Sequence, residues 1–170
     1  MNISRREFMG TTSAVGLVLA LNEALPLSTA SAATQQNRIP DRGPRLDSAM
    51  VKDFVTVGHG NMEGVKRLLA QEPKLINAAW DWGGGDWETA LGGAAHMGNR
   101  DIAQLLLRRG ARIDLFAAAM LGQLEFVRAA IAAFPDNRNT PGPHGLKLLH
   151  HARAGGKDAE AVVKYIESLK

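Results

Sequence analysis

One short frame recurs along the chain and limits its possible folds more than any other feature. A stretch of small residues runs into a glycine, a turn follows, and a segment with apolar residues three and four apart comes next. The frame is fullest around Gly98, where Thr89-Ala90-Leu91-Gly92-Gly93-Ala94-Ala95-His96-Met97 leads in and Asn99-Arg100-Asp101-Ile102-Ala103-Gln104-Leu105-Leu106-Leu107-Arg108-Arg109-Gly110-Ala111 leads out. It returns around Gly60 (Val65, Leu68, Leu69), Gly122 (Phe126, Val127, Ile131) and Gly156 (Val162, Val163, Ile166), at spacings of 38, 24 and 34 residues. Such periodicity predicts amphipathic helices. We expect eight of them, near 47–58, 62–71, 88–97, 100–109, 115–121, 124–133, 146–154 and 158–169. Ala94, Ala95, Ala118 and Ala119 are small enough for neighbouring helices to approach closely. The anchoring glycines suit a left-handed turn, and Glu63, Asp101 and Glu125 complement the positive ends of the second helices. One two-helix unit cannot bury its own apolar face, so several must stack.

The string from Thr89 to Ala111 resembles an ankyrin repeat: Thr-x-Leu-x-x-Ala-Ala-x-x-Gly, then a helix ending Leu-Leu-x-x-Gly-Ala. The family's Pro and His near the repeat start are Ala90 and Gly92 here, so this copy lacks the hydrogen-bonding His. The resemblance implies an all-α solenoid of about four ankyrin-type repeats over residues 46–170. It also implies finger-like loops between repeats and a non-catalytic role in holding another protein on the concave face. The chain is similar as well to short exported bacterial ankyrin proteins.

The N-terminus reads as an export signal. Ser4-Arg5-Arg6-Glu7-Phe8 is followed by an apolar run from Ala14 to Leu21 and a small-residue cleavage site, Ala30-Ser31-Ala32, the order of a secretory leader. Arg5, Arg6 and Phe8 resemble the twin-arginine address. Cleavage is expected after Ala32 or Ala33, leaving a tether over 33–45, a domain over 46–170, and a periplasmic or extracellular protein. No apolar run is long enough to span a bilayer, so no stable membrane insertion is expected after cleavage. The chain has no cysteine, which excludes disulfides and thiolate chemistry. Its formal charge of +3 gives no footprint for nucleic acid. The partner is expected to be a protein of the cell envelope, bound by a monomer.

Departures from the repeat point to a site. The first spacing carries extra residues at Ala79-Trp80-Asp81-Trp82-Gly83-Gly84-Gly85-Asp86-Trp87-Glu88, which holds every tryptophan of the chain. Tryptophan offers large, rigid contact area and dominates binding hot spots. The rings either reach outward for a ligand or fold back onto Gly92-Gly93. The second spacing is short, and Asp114 leads straight into a helix as its N-cap, so a missing finger beside a long one should leave a notch. Expected binding residues are therefore Trp80, Asp81, Trp82, Asp86 and Trp87 from the finger, with His59, His96, Met97, Met120 and Leu121 as the floor. A small molecule or glycan, or a hydrolytic reaction in the same notch, is the alternative.

Other chemistry finds little support. His150 and His151 are adjacent and point about 100° apart on a helix. His59 and His96 with Asp81 or Asp86 make a conceivable metal set, but no short ligand spacing supports it, so no metal, no cofactor and no catalytic residue is assigned. Asp81, Asp86 and Glu88 surround glycines without the spacing of a calcium loop, and Gly83-Gly84-Gly85 is no phosphate loop. His144, in Thr140-Pro141-Gly142-Pro143-His144-Gly145, reads as solvated at the tip of the last finger. Arg108, Arg109 and Arg112 suit the negative end of a helix.

Overall fold

The computed structural model describes residues 42–169; Arg5, Arg6, Phe8, the cleavage site and the tether up to residue 41 lie outside the described residues. Local capping fixes where several helices begin. Asp47 precedes α1 (Ser48–Gly58), and its side chain accepts from the Met50 N–H at 2.8 Å. Asn61 serves α2 (Met62–Gln71) through Gly64, and Thr89 serves α3 (Ala90–His96) through Gly92. Asp114 serves α5 (Leu115–Met120) through Ala117. Each cap satisfies a backbone donor that has no partner inside its helix. α4 (Arg100–Arg108), α6 (Leu124–Ala133), α7 (Leu148–Ala154) and α8 (Glu160–Ser168) complete the eight helices of the described residues. Glu63, Asp101, Glu125 and Glu160 occupy first turns of the second helices. The described residues are mostly helical, as an all-α reading requires.

The finger differs from a plain loop. Its two limbs form antiparallel strands, β1 (Ala79–Asp81) and β2 (Trp87–Thr89), with Trp80 opposite Glu88. Gly83, Gly84 and Gly85 close this hairpin at φ of 126°, 65° and 86°, a region open to glycine alone at no cost. The third helix consequently starts at Ala90 and not at residue 88. Short 3-10 helices at Pro143–Gly145 and Gly156–Ala159 likewise delay the last two helices beyond their expected starts.

Each odd-numbered helix packs against the even-numbered one after it, and the odd ones lie side by side in the order α1, α3, α5, α7. Alanines make that row close: Ala94, Ala95, Ala117, Ala118, Ala119 and Ala152 are all buried. Phe54, Leu75, Leu106 and Met120 fill one core cluster; Val127, Leu148 and Val162 fill a second. Gly122, at φ 76°, lies so close to the Asp158 carbonyl that an added Cβ would sit 2.1 Å from its oxygen. Gly98 and Gly156 are also left-handed, but Gly60 is not, so the first anchor departs from the expected turn. Arg100 ties three units together, reaching the Leu121 carbonyl at 3.3 Å and Asp158 Oδ2 at 3.0 Å.

Candidate functional site

Glu88 is the centre of the site. β-Pairing with Trp80 turns its side chain inward beneath the hairpin, where it is wholly buried. A buried carboxylate needs partners, and they come from three other segments. His59 follows the end of α1 and places Nε2 at 3.2 Å from Glu88 Oε2. His96, the last residue of α3, places Nε2 at 3.1 Å from Oε1. His144, from the loop before α7, places Nε2 at 3.4 Å from Oε2. The Trp82 indole N–H donates to Oε2 at 3.1 Å and fixes the carboxylate's rotation. One ligand atom from each of His59, Glu88, His96 and His144 falls within 4.8 Å of all the others.

The imidazoles are oriented by their far sides. His59 Nδ1 donates to the Val55 carbonyl at 3.0 Å. His144 Nδ1 donates to Asp86 Oδ2 at 2.8 Å, while the His144 backbone N–H donates to Asp86 Oδ1 at 2.8 Å. His144 itself sits at φ 58°, a conformation that costs a non-glycine residue on the order of 1 kcal/mol and is held only by its surroundings. Gly93 supplies the space for His59, since a Cβ there would lie 2.8 Å from Nδ1.

Protonation follows from these contacts. Burial pushes the Glu88 carboxyl up, but the imidazoles of His59 and His96 and the Trp82 N–H outweigh it and hold it at about 2. His59 is raised, first by Glu88. The His144 backbone N–H is the main cause that keeps Asp86 below its ordinary range. His151, buried beside Phe116 with its Nδ1 donating to the Lys147 carbonyl, is driven down to about 4 by burial.

Several expectations change here. The Gly92-Gly93 surface is filled by Glu88 and His59 and not by folded-back tryptophans. Met120 and Leu121 are buried in the core, so they form no open floor. Asp81 is exposed and caps its own turn through the Gly83 N–H. Trp80 packs partly buried on the core with Lys52 5.8 Å above its ring. His144 is engaged and not merely solvated. Trp87 (65% exposed), Met97 (57%) and Trp82 (36%) do reach solvent. Glu88 and His144 escape a sequence reading because their meeting depends on strand register and on a loop from the far end of the domain.

A cleft of about 450 Å³ opens beside this cluster. It is lined by Trp87 and the glycine turn, by Pro141 to Pro143, and by Asp114 and Phe116. It stands where the short second spacing removes a finger.

Among known families, the model described as "Ankyrin repeat" matches residues 86–116, which run from Asp86 through α3 and α4 to Phe116. The match supports the ankyrin resemblance, and ankyrin repeats generally serve as protein-interaction modules without catalysis. No curated protein matches the chain.

Proposed function

We propose that the chain is an exported, non-catalytic ankyrin-type solenoid that holds a polypeptide partner in the cell envelope through its hairpin and the adjoining cleft. One observation carries the reading: Trp87 stands on the cleft rim, more exposed than any other tryptophan, within the segment that matches an ankyrin repeat. The row α1, α3, α5, α7 supports the solenoid, and the Arg5-Arg6 leader supports export. The cleft carboxylates of Asp86 and Asp114 beside Trp87 and Phe116 favour a partner side chain that is cationic next to apolar surface, since aromatic faces and carboxylates both attract cations.

The test compares the wild-type chain with Trp87→Ala in pull-downs from envelope extract. Wild type retains a partner and the variant loses it, with thermal stability changed by no more than about 0.5 kcal/mol because the ring is exposed. Equal retention by both would refute the reading. The glycan alternative rests on the aromatic and carboxylate lining of the cleft, with Trp87, Phe116 and Asp86. Quenching of tryptophan fluorescence by cell-wall glycan fragments, absent in Trp87→Ala, would replace the protein partner with a small ligand. Export is tested by changing Arg5 and Arg6 to lysine, which leaves the precursor uncleaved in the cytoplasm if the address is read as proposed.

A further inference from the structure

The geometry points to a binding site for one divalent first-row transition ion, with Zn2+ as the reference, held by His59, Glu88, His96 and His144. This goes beyond partner capture and does not depend on it. A carbonyl oxygen and an ionised carboxylate can only accept, so the Nδ1 atoms of His59 and His144 carry hydrogen. In the neutral ring, the form in which imidazole binds metals, Nε2 is then the lone-pair position, and an ion would take the place of the proton that otherwise pairs His59 with Glu88. Lone pairs aimed at a carboxylate from 3.2 and 3.4 Å need something positive between them.

At His96 a proton satisfies this need poorly. His96 Nε2 and Glu88 Oε1 lie 3.1 Å apart, yet both are buried without a hydrogen-bond partner. Their directions do not align on each other. Metal donors have no reason to align on each other; they converge on a common point. Donors about 2.0–2.1 Å from a tetrahedral Zn2+ stand roughly 3.3–3.5 Å apart. His59 and His144 lie 3.2 and 3.4 Å from Glu88 Oε2, His96 lies 3.1 Å from Oε1, and one donor atom from each residue falls within 4.8 Å of the others, so a small inward contraction closes the set. Asp86 behind His144 and the Val55 carbonyl behind His59 are the outer partners that fix ligating histidines. Imidazole with one carboxylate suits Zn2+ and its neighbours better than Mg2+ or Ca2+. Because four protein groups fill a tetrahedral shell, the ion acts as a clasp joining α1, the hairpin, α3 and the loop before α7.

The experiment uses the full 170-residue chain without a polyhistidine tag, stripped by chelator and titrated with Zn2+ alone under chelator competition, and separately with Co2+. The expected result is one ion per chain, with Co2+ giving the strong visible bands of a four- or five-coordinate site. His96→Gln and His144→Gln each weaken Zn2+ by at least about a hundredfold, and Asp86→Asn by roughly 10- to 100-fold, as loss of an outer partner does. His150→Gln, on an exposed neighbouring ring outside the set, leaves binding unchanged. If His96→Gln disturbs the far-ultraviolet spectrum, the surface-loop variant His144→Gln decides. Absence of saturable binding, weak six-coordinate Co2+ bands, or equal affinity in folded His144→Gln each overturns the site, leaving only an internal ion-pair network.

Discussion

At the scale of single residues, the partners of a side chain lie both near it and far from it along the chain. Asp47, Asn61, Thr89 and Asp114 act on backbone groups three residues away, so capping roles are legible in a few consecutive letters. His144 and Asp86 meet across 58 residues, and nothing within either segment marks the pairing. Gly93 gives a prediction at this scale. Replacing a helical glycine with alanine ordinarily stabilises by about 1 kcal/mol. At Gly93 the added Cβ would sit 2.8 Å from His59 Nδ1, and overpacking costs about 1–3 kcal/mol. Gly93→Ala therefore lowers the urea midpoint, whereas a gain would show that the His59 ring moves aside freely.

At the scale of elements, the helices were readable because their period is 3.6, while the finger hid its strands. Three-residue strands closed by three glycines leave no alternation to detect, yet the register they set is what turns Glu88 inward. The start of α5 offers a pH test. Asp114 is largely enclosed, and burial raises its carboxyl above the ordinary range although the Ala117 and Phe116 N–H groups oppose the shift. The folded state therefore holds the proton more tightly than the unfolded chain. As pH falls through the raised folded value toward 3.8, this group's contribution to stability grows. Asp114→Asn keeps an acceptor for the cap and removes that pH dependence. Asp114→Ala loses the cap and costs about 1 kcal/mol at neutral pH. Parallel stability–pH curves for wild type and Asp114→Asn would contradict the assignment.

At the scale of the whole molecule, the long finger, Asp114 at the short second spacing and the loop before α7 together line the cleft. The repeat spacing leads one to expect a notch, whereas the part taken by the loop before α7 was not legible, because that loop belongs to the last unit and reaches back to the second. If Zn2+ clasps these segments, the melting temperature of the wild-type chain rises with Zn2+ concentration, by linkage to the folded state, and that of His144→Gln stays flat. Zn2+ also protects the backbone amides of Gly142, His144, Gly145 and Leu146 from exchange in wild type alone.

The central claim is that Glu88 gathers segments distant in sequence into one physical unit, with or without an ion. A double-mutant cycle on Glu88→Gln and His144→Gln, measured by urea unfolding in chelator, tests it most directly. Interacting neighbours couple by about 0.5–3 kcal/mol, and the account predicts a coupling near 1 kcal/mol, the double variant losing less than the two single losses combined. Additivity within about 0.3 kcal/mol would mean that His144 and Glu88 do not sense each other, and the site as described would not exist.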